Sequence, residues 1–380
     1  MTVTVCLNAI VKDEEAGILH MLKSVTKSIH YYVIVDTGST DRTKEVIKEY
    51  FDSVGIKGEI HDRPWYNDFG RSRTEALELC AGKSDYIYIS DATDALKGDI
   101  VLKEPLLDGY KMLIEHGGTK YWRVQLIKNE PSLGWKYHGV LHEYLACSKP
   151  GHTVGTLEGC SILYNVAPSV RDKNPNKYKD DAAVLEKALE KEPDNERYQF
   201  YLAQSYRDAG MFKEAVAAYK KRAEMGRWYE EVYNSYYNIG VCLLHLEASE
   251  QEIVDAFMTA FNYSKHRAEP IYQLTKYFRV KRQFDKGYKY GMMAIDLEFP
   301  KNDVLFVQDY VYQYALKDEV AICAYYVGEY KQSVQLNAEI YSKVPDSMRQ
   351  RIKDNAKYSL DALRDRYMEV LTIAADHDLV

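Results

Sequence analysis

Four short stretches hold most of the residues that could do chemistry. In VIVDTGSTDRT, at 33–43, the apolar Val33, Ile34 and Val35 run straight into Asp36, and Gly38, Ser39, Thr40 and Asp41 follow. YIYISDATDAL, at 86–96, repeats the arrangement with Asp91 and Asp94. An apolar run that stops at an acid reads as a strand end, and the carboxyl ends of strands in an open α/β sheet are where nucleotides bind. One aspartate after a strand is more often a turn or cap residue. Asp41 or Thr40 would in that case cap the helix continuing through Val46, Ile47 and Tyr50. Two such acids in one sheet shift the reading toward a binding site.

The third stretch, WYNDFGRSRTEAL at 65–77, places Asn67 or Asp68 at a helix start, Phe69 beneath it, and Arg71 and Arg73 in the first turns. Arginine opposes the helix dipole there but suits an anionic ligand. The fourth, WKYHGVLHEYL at 135–145, sets His138 and His142 four apart, with Glu143 adjacent. That histidine spacing on a helix can hold zinc. Gly139 and Val140 argue against a regular helix, so a turn carrying His142 and Glu143 toward the sheet edge is expected instead. A solvated surface arginine and a histidine packed beside Trp135 stay open as plainer readings.

The elements that must position these residues change in kind along the chain. Up to about residue 165, strand candidates at Val3–Ile10, Tyr31–Val35 and Tyr86–Ile89 alternate with helices at Glu14–Ile29, Asp41–Phe51 and Arg71–Cys80. Such alternation predicts a mainly parallel sheet covered by helices. Tyr121–Ile127 and Ser161–Val166 are further strand candidates. Beyond the polar DKNPNK at 172–177 nearly everything reads as helix, with a recurring spacing of large and small residues. Leu202, Ala203, Tyr206, Gly210, Phe212, Ala215 and Tyr219 carry it first. Leu274, Phe278, Arg282, Phe284, Gly287 and Ala294 repeat it, and so do Val320, Ala321, Gly328, Tyr330 and Pro345. Ile239 and Gly240 start a further unit with a stretched loop at 247–251, and Met348–Val370 closes the array as a polar-faced helix. Arrays of this kind usually bind partners or pair protomers, with most of the 34 tyrosines filling layers between units. The expected domains are 1–168, a linker at 169–177, repeats at 178–345, and a capping helix and tail at 346–380.

Composition narrows the function. A net charge of −7 argues against a nucleic-acid surface, and no apolar run is long enough to span a membrane. The first residues lack the basic flank and apolar core of a signal peptide, so a cytoplasmic protein is expected. The six cysteines, scattered with no Cys-x-x-Cys pair, read as reduced buried thiols. GSTD is too short, and lacks the lysine, for a phosphate-binding P-loop.

Taken in order, VIVDTGSTDRT, ISDATDAL, WYNDFGRSR and HGVLHE resemble glycosyltransferase family 2 enzymes of GT-A fold, over about residues 3–166. ERYQFYLAQSYRDAG resembles the tetratricopeptide region fused to some of them. The resemblance implies a nucleotide-sugar donor, of UDP type, lying across the strand ends, and a protein or glycan acceptor. It implies donor contacts from Asp36, Asp68, Arg73, Asp91 and Thr93. It also implies Mn²⁺ or Mg²⁺ on Asp91, Asp94 and His142, and catalytic roles for Asp94, Glu143 and His142. The sequence departs from the family at Thr93, which stands where the Asp-x-Asp motif supplies its direct metal carboxylate; a neutral hydroxyl is a weak ligand. The resulting expectation is an inverting, metal-assisted glycosyltransferase whose helical repeats hold acceptor or partner or form a homodimer. The alternative is a catalytically impaired nucleotide-sugar-binding or scaffold protein.

Overall fold

The computed structural model describes residues 3–116, 119–167 and 174–376. The chain divides into two compact units, residues 1–193 and 194–380. Residues 169–173 of the expected linker at 169–177 lie outside the described residues.

The first unit begins with β1 (Val5–Val11), α1 (Ile18–Val25), β2 (Tyr31–Asp36), α2 (Thr43–Val54), β3 (Lys57–Asp62), α3 (Phe69–Glu78) and β4 (Tyr86–Ile89). It continues with β5 (Ala95–Gly98), β6 (Gly109–His116), β7 (Thr119–Lys128), β8 (Trp135–His138), β9 (Tyr144–Cys147), β10 (Val154–Leu163) and α4 (Lys177–Lys191). An expected boundary at 168 would have left α4 with the repeats, but it falls within the first unit. Eight strands form one sheet in the order β3-β2-β1-β4-β7-β6-β10-β5, and β8 pairs with β9 in a separate ribbon. β3, β2, β1 and β4 run parallel; β7 is antiparallel to both β4 and β6.

Side chains alternate between the faces of the sheet, which decides what each helix covers. Val5, Leu7, Ala9, Tyr32, Ile34, Tyr86 and Tyr88 pack in one core with Ile18, Met21 and Leu22 of α1 and Ile47 and Phe51 of α2. Cys6, Val33, Ile87 and Ile89 form the opposite core with Leu77 and Cys80 beside α3, against Trp135, Tyr137 and Leu145 of the ribbon. A fully buried aliphatic or aromatic side chain of this kind contributes about 1.5–3 kcal/mol. Asn8, buried in β1, fastens α3 to the sheet by donating to Ala76 O at 2.9 Å. Sequence periodicity did not reveal β3. Its KGEIHD has neither an apolar run nor clean alternation, as suits a strand at the sheet edge.

The second unit is entirely helical in its regular elements: α5 (Glu196–Asp208), α6 (Phe212–Met225), α7 (Tyr229–His245), α8 (Glu250–Tyr263), α9 (Glu269–Val280), α10 (Phe284–Met292), α11 (Leu316–Tyr326), α12 (Tyr330–Ile340) and α13 (Asp346–Asp376). The expected repeats are hairpins. Turns at 209–211, 281–283 and 327–329 have equal length, and the one at 246–249 is a single residue longer. Gly210 and Gly328 take the left-handed conformation in their turns, and Arg282 takes it at φ 58° where glycine would be unstrained. A Cβ on Gly291 would lie 2.2 Å from Val320, so glycine lets α10 and α11 meet.

Candidate active site

β2 and β4 flank β1, and the chain reverses its direction of winding between β1 and β4: strands 1 to 3 proceed one way and β4 is added on the other side. Ligands of open α/β sheets bind at such a switch point, off the carboxyl ends of the strands. Asp36 ends β2 and is almost fully buried. Its Oδ1 accepts from Gly38 N at 2.8 Å and Ser39 N at 2.7 Å, closing the turn. Its Oδ2 is buried without a hydrogen-bond partner among the described residues. A buried polar atom left unpaired costs about 1–3 kcal/mol, which a ligand donor would offset.

Beyond β4, three of the four motifs converge. Arg73 of α3 donates from Nη2 to Asp91 Oδ1 at 2.6 Å and from Nε to Glu143 Oε1, also at 2.6 Å. The helix is aimed by its own start. Asp68 caps it, accepting from Arg71 N at 2.8 Å. Phe69 N donates to Val140 O at 2.9 Å and Gly70 N to Gly139 O at 3.1 Å, so α3's first turn grips the loop between β8 and β9. A Cβ at position 70 would stand 2.5 Å from Gly139 O, and only glycine allows that approach. Lower down, Tyr137 N donates to Thr74 Oγ1 at 3.0 Å. Arg71, by contrast, points away, paired with Glu75 and stacked 3.6 Å over Tyr66.

A cleft of about 300 Å³ opens here, and its walls include Arg73, Asp91, Glu143, Lys111, Trp122 and Arg123. Burial works against the charge of Arg73, but Asp91 and Glu143 outweigh it and hold the guanidinium far above its ordinary pKa. Burial would likewise raise Asp91; Arg73 and then Arg123 bring it below the usual carboxylate range. Asp94 behaves oppositely. Fully buried, it is pushed up to about 7, first by burial and then by the charge of Asp91.

Of the residues expected at the site, Arg73, Asp91 and Glu143 meet in the cleft. Asp36 stands at the neighbouring strand end, and Asp68 serves as the helix cap. His142 is exposed, at φ 51° in the loop, which forms a turn and not a helix. Thr93 is half-buried, and its carbonyl accepts from Val166 N at 2.9 Å. Asp94 Oδ1 accepts from Asn165 N at 3.0 Å, while Oδ2 is buried and unpartnered among the described residues.

Asp91, Asp94 and His142 do not gather into a metal site: among the described residues, no three His, Cys, Asp or Glu side chains come together as one. Asp91 is committed to Arg73, and the position between the two aspartates offers a hydroxyl. The residues present do not fit a divalent centre built by the protein.

Sequence reading missed Arg123, Lys111, Trp122 and Tyr137. Each sits inside a strand with no motif around it to mark it, and the pairing of the strands brings Lys111, Trp122 and Arg123 to the cleft.

Residues 4–106 match the model of glycosyl transferase family 2. The SPbeta prophage-derived glycosyltransferase SunS of Bacillus subtilis is 24% identical over 232 residues, covering 58% of this chain and 53% of that protein. A TPR repeat-containing protein of Synechococcus elongatus is 28% identical over 155 residues, 38% of this chain and 36% of its own. The chain thus spans about half, or less, of the length of the curated relatives it matches. Among solved structures, MamA resembles 53% of this chain over 98% of its own at 16% identity, with a TM-score of 0.33. BtubC from P. vanneervenii resembles 52% over 86% at 10% identity, with a TM-score of 0.39. Residues 4–106 are thus similar to a glycosyl transferase family 2 domain, and the helical hairpins of the second unit follow it.

Proposed function

We propose that the protein transfers a sugar from a nucleotide-sugar donor, of UDP type, to a nucleophilic acceptor with inversion at the anomeric carbon. The observation that carries this reading is the Arg73 bridge. It ties the acid beyond β4 to the loop of His142 and Glu143 at the switch point of a family 2 domain.

The donor's nucleoside would lie against the end of β2, where Asp36 Oδ2 awaits a partner. Its sugar would enter the cleft beside Asp91 and Glu143. In a single displacement the acceptor's lone pair forms the new bond to the anomeric carbon as the bond to the diphosphate breaks. The electron pair of that bond leaves with the nucleoside diphosphate. A base must take the acceptor's proton. Glu143, in the cleft wall, or His142, exposed beside it, would take it. Asp94, fully buried, acts only by positioning the turn of Asp91, whose carbonyl accepts from Asp94 N at 3.1 Å. No step is assigned to a divalent cation, because the acids do not assemble a site for one. The helical unit would hold the acceptor or a partner, or pair two copies of the chain.

The test is incubation of the full chain with UDP-, GDP-, CDP- and TDP-sugars, reading release of nucleoside diphosphate without added acceptor. Slow release from one donor class, lost in an Asp91→Ala protein that still melts cooperatively, is expected. Release from none, with no binding of any of them, would leave the scaffold reading in its place.

A further inference from the structure

The cleft holds more positive charge than its acids neutralise. Arg73 is taken up by two carboxylates. Arg123 has no such commitment: its Nε is buried with no hydrogen-bond partner among the described residues, and no ion pair with it occurs there. Its position follows from the sheet. β4 pairs with β7 through Tyr86↔Lys128, Ile87↔Ile127 and Tyr88↔Leu126, and Gln125 Nε2 then donates to Ile89 O at 3.0 Å. Carrying that register past the end of β4 sets Arg123 level with Asp91. The charge of Arg123 is accordingly felt by Asp91, Asp94, Tyr137 and Tyr164. On the other side of β7 a bulge makes Gln125 the extra residue, so that Lys111 of β6 pairs with Val124, and both line the cleft. Two cations, Arg123 and Lys111, thus stand in the cleft wall where the acids fail to build a divalent site.

We infer that Arg123, assisted by Lys111, binds the donor's diphosphate directly and meets the charge that develops on it, taking the part the family motif gives to a metal ion. This rests on the glycosyltransferase reading. As the anomeric carbon–oxygen bond breaks, its electron pair stays on the diphosphate oxygen. A guanidinium with free N–H donors stabilises that oxygen through charge-assisted hydrogen bonds. The charge of Arg73 is already matched by two carboxylates, Asp91 and Glu143, whereas that of Arg123 is not. The site would bind nucleoside diphosphates without divalent cation.

The experiment is calorimetric titration of the full chain with UDP, GDP, CDP and TDP, each in EDTA and then in excess Mn²⁺, followed by the matching nucleoside alone. One diphosphate should bind in EDTA, with Kd moved less than about threefold by Mn²⁺. Arg123→Gln should weaken it at least about tenfold, the loss of a charged hydrogen bond, and leave the nucleoside unaffected. Arg123→Lys should recover part of the loss. Lys111→Gln, at an exposed position that tolerates change, should weaken binding severalfold and carries the test if Arg123→Gln does not fold. Binding that requires Mn²⁺, or survives the Arg123 or Lys111 change, or falls equally for nucleoside and diphosphate, overturns the inference and leaves the glycosyltransferase reading standing. Absence of binding by every diphosphate under both conditions overturns the two together.

Discussion

Arg73 Nε donates to Glu143 Oε1 across 2.6 Å, although the two residues stand seventy positions apart in the chain. Both side chains are largely shielded, at 13% and 15% exposure, and the same guanidinium reaches Asp91. The contact joins the helix of one motif to the loop of another and the strand end of a third. Arg73→Met would strand two carboxylates in a desolvated cleft. Removing one partner of a buried pair typically costs 3–5 kcal/mol, and partial exposure here reduces that to about 2–4 kcal/mol. Urea denaturation at neutral pH should show the loss, and Arg73→Lys should recover only a part, since one ammonium cannot reproduce the two-sided fork. Equal stability of all three proteins would mean that the bridge contributes nothing.

Asp94 gives a pH dependence whose sign is fixed. Its carboxyl titrates at about 7 in the folded protein against 3.8 ordinarily. Between those values the folded chain keeps a proton that the unfolded chain has released. Its contribution therefore lowers stability as pH rises through the window and is level above it. Asp94→Asn mimics the protonated form and keeps the acceptor for Asn165 N. It should match the wild type near pH 4 and exceed it above pH 7, on the order of 1–3 kcal/mol. Melting temperatures of both proteins from pH 4 to 8 check this; parallel curves would remove Asp94 as the source.

Gly70→Ala tests the grip of α3 on the histidine loop. The added methyl meets Gly139 O at 2.5 Å, so the helix start or the loop must move. A cost of about 1–3 kcal/mol is expected from overpacking. Nucleoside diphosphate release should fall further than stability alone explains, because Glu143 rides on that loop. Full activity in a destabilised Gly70→Ala would show that the loop's position is not needed.

Thr93→Asp restores a carboxylate between Asp91 and Asp94. With Thr93 facing the cleft, the variant should bind Mn²⁺ more tightly than the wild type, read as heat on titrating Mn²⁺ into each protein. Silence in both proteins would place residue 93 away from any cation.

In the helical unit, Arg267 is buried between Glu269, 2.8 Å from Nη2, and Asp303, 3.1 Å from Nη1. All three side chains are nearly inaccessible to solvent. Arg267→Met leaves two buried acids unbalanced and should cost at least about 3 kcal/mol, measurable by denaturant unfolding of the full chain. A loss below 1 kcal/mol would show that the network relaxes around the gap.

By itself the sequence determined the two kinds of architecture, because periodicity is written locally: apolar runs that end in acids make β2 and β4, and the repeat spacing makes the hairpins that turn at Gly210 and Gly328. It also marked Asp36 and Asp91 as acids that end apolar strands, and Arg73 and Glu143 through the motifs they stand in. A cap at Asn67 or Asp68 was legible too, and the structure has it at Asp68. Only the tertiary structure decided which of these meet. The Arg73 bridge depends on α3 docking against Gly139 and Val140, and no local spacing encodes that. The burial of Asp94 follows from the return of the chain to Asn165, seventy-one positions later. Arg123 came into view last. A lone arginine in a strand carries no signal until β7 pairs with β4 and overruns its end, and sheet register is a property of two strands together.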